Sequence, residues 1–230
     1  MTISIIIPTL NEAANIGKLI HFLKQNADAS LSEIIVVDAQ SSDNTEGVAS
    51  AAGAKIILST KKSRAFQMNL GAREAKGDIL YFIHADCYPP TTYLVDIQRF
   101  MNQGYPMGCY RYRFDSDKFM LKINAFFTRF ERLWCRGGDE TFYVKRTVFE
   151  ELNGYNETFV IMEEYDFIRR ALEKYALKIM PSKVVVSARK YETNSWLRVQ
   201  FANFTVFRMY TKGKAPEEMA QAYKRMLNYR

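Results

Sequence analysis

The chain has 230 residues, of which 48% are hydrophobic and 14% aromatic, enough for one sizeable core and too apolar for a disordered polymer. Its formal net charge is +7, and the whole excess sits in residues 181–230, which hold 10 Lys+Arg against 3 Asp+Glu and eight aromatics. A basic, aromatic tail on a neutral body points to an anionic surface as partner.

Ser4 to Pro8 reads as a short buried strand ended by proline, with no basic leader that would mark a signal peptide. Glu12 to Gln25 carries Ile16, Leu19, Ile20 and Leu23 at helical spacing. Glu33 to Asp38 is a second buried strand, and Asp43 with Glu46 has capping-box spacing at a helix start. Gly53 closes that helix, Lys55 to Leu58 is a third strand, and Ser63 to Ala75 is helical. Ile79 to Ile83 is an apolar run leading to His84-Ala85-Asp86, with Pro89-Pro90 as the stop.

This alternation predicts right-handed βαβ units, an α/β fold and a mostly parallel sheet. The turn after the first strand reads Pro8-Thr9-Leu10-Asn11-Glu12, so neither a dinucleotide fingerprint nor a P-loop is present. From Gly108 the pattern changes. A strand over Gly108 to Phe114 precedes an amphipathic helix over Lys118 to Trp134, with Phe119, Ile123, Phe126, Phe127, Phe130, Leu133 and Trp134 on one face. A strand over Thr141 to Val144, helices over Thr147 to Leu152 and Glu163 to Tyr175, and a strand over Lys178 to Val186 follow. Trp196 to Tyr210 and Pro216 to Asn228 read as two further helices. Cys87, Cys109 and Cys135 lack metal-type spacing and read as reduced thiols, which implies a cytoplasmic protein. No apolar run of about 18 residues exists to span a membrane.

His84 and Asp86 would stand at the C-terminal edge of the parallel sheet, where open α/β folds place ligands. Two potential ligands there fit a divalent ion, Mg²⁺ or Mn²⁺, holding a phosphate. Asp38, Asp139 and the pair Glu163-Glu164 also sit where a strand stops or a helix begins. Each has a plainer alternative: Asp86 as a turn residue, Glu163-Glu164 as a helix cap, His84 as a hydrogen-bonded scaffold residue. Their convergence on one edge favours a site. Arg64, at a helix start aimed at that edge, is the better diphosphate partner than Arg73.

The runs Ile5 to Glu12, Val36 to Thr45 and Gly77 to Asp86 together resemble the nucleotide-binding half of family-2 glycosyltransferases of the GT-A fold. Gly138-Asp139-Glu140 resembles that family's acceptor-side Gly-Asp-Gln, and Met162 to Asp166 its Glu-Asp motif. Ser63 to Ala72 and Ser187 to Glu192 narrow the resemblance to a small bacterial subgroup, the radical-SAM/selenodomain-associated transferase 2 proteins.

The resemblance implies a mixed, mostly parallel central sheet flanked by helices, with helices at the C-terminal end. It implies a single domain over 1–230, with a nucleotide-sugar half (1–107), an acceptor and catalytic half (108–190) and a basic aromatic helical tail (191–230). Pro8, Thr9, Asn11 and Glu12 would border the nucleoside, with Glu12 reaching the ribose. Asp38 would meet a base, expected to be uracil. Arg64 would contact base or diphosphate, with Ala85 beside it. Asp86 matches the last acid of Asp-x-Asp and would bind the metal. Glu164 matches the general base. Two positions depart from the pattern: His84 replaces the first acid of Asp-x-Asp, and Glu164 replaces an aspartate, which leaves Glu163 and Asp139 as alternative bases.

The activity implied is inverting transfer from a nucleotide sugar to a lipid, glycan or small-molecule acceptor. A nucleotide-sugar-binding protein with lapsed catalysis is the second reading, favoured by His84. A nucleotidyltransferase is opposed by the missing Gly-rich triphosphate loop. The aromatic stripes of the tail and of the Lys118 to Trp134 helix are expected first to pack on the sheet or to form a homodimer contact; the alternative is peripheral contact with the inner face of a membrane, or, for the Lys118 to Trp134 helix, a cover over the acceptor site. No nucleic acid is expected.

Overall fold

The computed structural model describes residues 1–136 and 141–227. Strand and helix alternate through β1 (Ile3–Thr9), α1 (Ala13–Gln25), β2 (Leu31–Asp38), α2 (Thr45–Ala51), β3 (Lys55–Leu58), α3 (Arg64–Glu74) and β4 (Ile79–Phe82). Next come β5 (Cys87–Tyr88), α4 (Tyr93–Asn102), β6 (Met107–Phe114), α5 (Phe119–Phe127) and a 3-10 turn (Leu133–Cys135). β7 (Phe142–Lys145), α6 (Arg146–Glu151), α7 (Glu163–Leu172) and β8 (Leu177–Val186) follow. The short α8 (Lys190–Thr193), α9 (Trp196–Thr211) and α10 (Pro216–Met226) complete the described elements.

The strands form one mixed sheet in the order β3-β2-β1-β4-β7-β6-β8-β5. β1 is parallel to β2 and β4, and β2 to β3, so the first half is wholly parallel. β7 runs antiparallel to β4 and β6, while β8 is parallel to β6 and antiparallel to β5. A parallel sheet covered on both faces needs continuous apolar strands, and β1 is buried along its whole length. Its period-two alternation splits the core. Ile3, Ile5 and Ile7 pack with Leu19 of α1 and Ile97 of α4, whereas Ile6 packs with Met68 of α3 and Phe167 of α7.

The structure departs from the sequence reading at four places. β4 stops at Phe82, so His84 lies in the following loop, and the prolines end β5. The segment after them, unassigned above, is α4, which buries Tyr93, Leu94, Ile97 and Phe100. Asp43 and Glu46 form no capping box. Asp43 instead accepts from the Thr45 amide at 3.1 Å and from the Ala13 amide at 3.1 Å, holding the starts of α2 and α1 together.

The helix expected over Lys118 to Trp134 ends at Phe127. The buried guanidinium of Arg136 donates to the carbonyls of Thr128 (2.5 Å) and Phe130 (2.8 Å), which a continuing helix would use for itself. Its aromatic face does not pack on the sheet. Leu121 is the buried residue of α5, while Phe119 is 73% exposed. Among the described residues no helix is long and apolar enough to cross a membrane.

Candidate functional site

β1 and β2 end side by side, Thr9 opposite Asp38. Asp38 is buried, and its carboxylate accepts three hydrogen bonds, from the Thr9 hydroxyl (2.9 Å), the Ser41 hydroxyl (2.6 Å) and the Ser41 amide (2.8 Å). Asn11 adopts φ 56°, a conformation Asn tolerates, and its Oδ1 accepts from the Ser42 amide at 2.8 Å while its own amide donates to Ser41. The loops after β1 and β2 are thus laced into one rim. Gln67 ties that rim down from α3, donating to the Thr9 carbonyl (2.9 Å) and the Val37 carbonyl (2.6 Å). Pro8 is buried inside β1 and Ala85 lies among core side chains, so both offer a ligand their backbone rather than their side chains.

Glu12 holds a residue from far along the chain. Arg189 donates to it in a bidentate fork, 2.7 Å to Oε1 and 3.3 Å to Oε2, and its Nε lies 3.2 Å from Asp86 Oδ2. One guanidinium therefore spans the candidate ribose carboxylate and the candidate metal carboxylate. The Glu12 hydrogen bond, against the opposing effect of burial, holds the Arg189 pKa above its ordinary value. The sequence reading placed Arg189 in a resemblance motif and, beside Arg64, against the leaving diphosphate; it did not pair it with Glu12 or Asp86. The signal available was a lone Arg just beyond the last strand, where a tail can fold back over a sheet edge.

Across the edge stands α7. Met162 takes φ 69°, a left-handed turn that is uncommon for its residue type, and delivers Glu163 and Glu164 into the first helical turn. There the helix dipole favours carboxylate charge. Glu164 Oε1 lies 3.3 Å from His84 Nε2. Burial opposes the imidazolium, but the hydrogen bond and charge of Glu164, with Asp86 adding, outweigh it, so His84 titrates above its ordinary value. Glu163 is 1% exposed. Arg64 Nε stands 2.9 Å from its Oε1, yet neither oxygen receives a well-directed hydrogen bond among the described residues. Burial pushes its carboxyl up, and the Glu164 charge adds to this against the pull of Arg64.

The residues expected from sequence therefore split into two groups. Asp38, Thr9, Asn11, Glu12 and Asp86 share one edge with Arg189, while Arg64 pairs with Glu163 and His84 with Glu164. His84 was expected to share an ion with Asp86; its Nε2 bonds Glu164 instead. Asp139 lies outside the described residues. Among those described, no three His, Cys, Asp or Glu are grouped to hold a metal. A single carboxylate still fits a hard cation that arrives with diphosphate oxygens, the usual way Mg²⁺-type ions are held.

A cavity of about 530 Å³ opens on the α7 side of this edge, lined by Arg64, Glu163 and Glu164 at one end and by α5, α8 and α9 elsewhere. It is large enough for a small-molecule or headgroup ligand.

The family model "Glycosyl transferase family 2" matches residues 4–175. Glucosyl-3-phosphoglycerate synthase of Mycolicibacterium paratuberculosis is 33% identical over 97 residues, 39% of this chain and 30% of that protein. The match thus spans under a third of that curated relative's length. Among solved structures, the Mycobacterium tuberculosis glucosyl-3-phosphoglycerate synthase in complex with Mn²⁺, uridine diphosphate and glucosyl-3-phosphoglycerate superposes with a TM-score of 0.65 at 19% identity, covering 93% of this chain and 80% of that one. TarS 1–349 of S. aureus superposes at 0.67 with 14% identity, covering 96% and 68%. These likenesses establish the GT-A fold, and the match over residues 4–175 places the protein: it belongs to glycosyl transferase family 2.

Proposed function

We propose that this chain transfers a sugar from a uridine-diphosphate-linked donor to an acceptor oxygen by a single, inverting displacement. The observation that carries the reading is the His84–Glu164 contact. It sets one carboxylate at the seam between the donor edge and the cavity, where an acceptor would lie. Glu164 accepts the acceptor's hydroxyl proton while that oxygen attacks the anomeric carbon and the bond to the diphosphate breaks. His84 orients Glu164. Glu12 meets the ribose, Asp38 and its loop meet the base, and Arg189 and Arg64 face the charge that develops on the departing diphosphate. Asp86 would hold a Mg²⁺ or Mn²⁺ ion, which when bound neutralises that diphosphate.

Residues 1–107 serve as the donor half and 108–190 as the acceptor half of one domain. The motifs around Ser63 to Ala72 and Ser187 to Glu192 support the narrower placement among the radical-SAM/selenodomain-associated transferase 2 proteins. One structural relative is solved with UDP-glucose and phosphoglyceric acid, which makes that pair the first donor and acceptor to assay.

Replacing Glu164 by Gln keeps its size and removes its basicity. Turnover should fall by about 10²–10⁴-fold while calorimetry shows unchanged UDP affinity. Equal turnover in Glu164→Gln and wild type, with a hydroxyl acceptor, would remove Glu164 from the role. A loss confined to Glu163→Gln would move the base there.

A further inference from the structure

The acceptor side of the molecule carries an apolar surface that the fold leaves uncovered. α9 shows three faces. Val199 and Ala202 are buried in a small cluster with Leu227, against Tyr223 and Met226 of α10; Trp196, Gln200, Asn203, Val206 and Phe207 line the cavity. Leu197, Phe201 and Phe204, at i, i+4 and i+7, are 73%, 65% and 63% exposed. α5 continues the surface. Phe126, Phe127, Phe130 and Trp134 form one exposed cluster with ring centroids 5.8–6.1 Å apart. The two helices are tied together through Asn124, which accepts from the Trp196 indole and donates to the Tyr191 hydroxyl, both at 3.2 Å.

This surface runs into the cavity without a break. Phe127, Trp134 and Phe204 are at once exposed and part of its lining. Nearly half of the lining residues are aromatic. The cations there are spoken for in part: Arg136 serves backbone carbonyls, and Arg64 faces Glu163. A small polyanion would find, besides Lys190, two buried carboxylates and a wall of rings.

Exposed basic residues outnumber acidic ones around the apolar surface: Lys118, Arg129 and Arg132 against Asp117 and Glu131 beside α5, and Arg198 and Arg208 on α9 with Lys212 just after it. The Arg129 guanidinium lies 3.8 Å from the Phe126 ring centroid. From Trp196 to Ala215 there is no acidic residue. A second copy seated symmetrically would bring these cations against one another. Rings and aliphatic side chains among Lys and Arg are instead the composition of a helix face lying in an anionic membrane interface.

We infer that the face formed by α5, the 3-10 turn and α9 seats the enzyme on an anionic membrane surface, and that the cavity opening from it takes an amphiphilic, membrane-borne acceptor. This rests on the sugar-transfer reading for what the cavity does. The chain has two tryptophans, Trp134 and Trp196, and both line the cavity, so intrinsic fluorescence reports this face directly.

The test uses the full chain with phosphatidylglycerol vesicles brominated in the acyl chains, beside phosphatidylcholine vesicles. At low salt the protein should sediment with the anionic vesicles and its emission should be quenched, and salt should reverse both. The Leu197→Glu/Phe201→Glu double variant, which alters exposed residues outside the cavity, should lower the partition constant by about tenfold or more and leave UDP affinity unchanged. Absence of sedimentation and quenching overturns the inference. A concentration-dependent dimer abolished by the same double variant, without vesicle binding, assigns the face to a second copy and overturns it as well. Full-rate UDP release with 3-phosphoglycerate and no vesicles overturns the acceptor class. Loss of UDP binding in the wild-type chain would instead defeat the sugar-transfer reading, so the two failures are distinguishable.

Discussion

Arg189 is the residue whose behaviour decides most at the donor edge. It holds Glu12 and Asp86 at once, with its guanidinium where a diphosphate would need positive charge. Under the proposed function, a donor with its cation at Asp86 and its ribose at Glu12 would release Arg189 from both carboxylates and leave it to pair with phosphate oxygens. Arginine suits this because its fork binds carboxylate and phosphate with the same planar geometry. In Arg189→Ala, kcat should fall by roughly tenfold or more, since the loss falls on charge that develops as the diphosphate leaves. Arg189→Lys should recover part of it, keeping the charge and losing the fork. Steady-state kinetics with saturating donor reads both, and an unchanged kcat in the alanine variant would leave Arg189 a structural strap. Glu163 contrasts with its neighbour. It is buried without a directed hydrogen bond, whereas Glu164 has an imidazole partner that orients it.

At the scale of elements, the candidate site is a set of helix starts and strand ends pinned by side chains. Asp43 shows the device most simply, serving the first amides of α1 and of α2 with its two oxygens. The Thr45 hydroxyl hydrogen bond, against the opposing effect of burial and with the two amide hydrogen bonds adding, holds its carboxyl below the ordinary carboxylate value. Asp43→Ala should cost about 1 kcal/mol, the usual worth of an N-terminal cap. The sign of its pH dependence follows from the lowered folded pKa. The difference between wild type and variant is present above the unfolded carboxyl pKa of about 3.9, and it vanishes as pH falls through the lower folded value. Urea midpoints at neutral and at low pH check this; a difference that persists unchanged at low pH would mean the carboxylate is not responsible. α5 makes the opposite point. Its aromatic spacing is helical to Trp134, but a buried Arg136 captured two carbonyls and ended the helix early. Propensity and periodicity describe a segment alone and do not see a cation arriving from outside it.

At the scale of the molecule, the parallel half presents a rigid edge, and the antiparallel strands β7 and β6 carry the chain toward α7 and the cavity. A ligand bridging the two should stabilise the whole. UDP at about 100 times its dissociation constant should add roughly 2.7 kcal/mol. With Mn²⁺ present the melting temperature should rise further than with UDP alone, and Asp86→Asn should erase that increment. If the variant keeps the full Mn²⁺ effect, the ion is held elsewhere.

The sequence by itself determined the α/β alternation, the buried strands ending at Asp38 and near Asp86, and the family motifs. These depend on residue type and local spacing, which the linear order preserves. It did not contain α4, because two prolines ahead of it read as a stop rather than as the end of a two-residue strand. Only the tertiary structure decided that Arg189 joins Glu12 to Asp86 across 177 positions of chain, and that His84 meets Glu164 across 80. Only it decided that the aromatic stripes of α5 and α9 face outward around a cavity. Those outcomes depend on which surfaces packing leaves uncovered and which charges the folded chain brings within a few ångströms, and neither is a property of any segment alone.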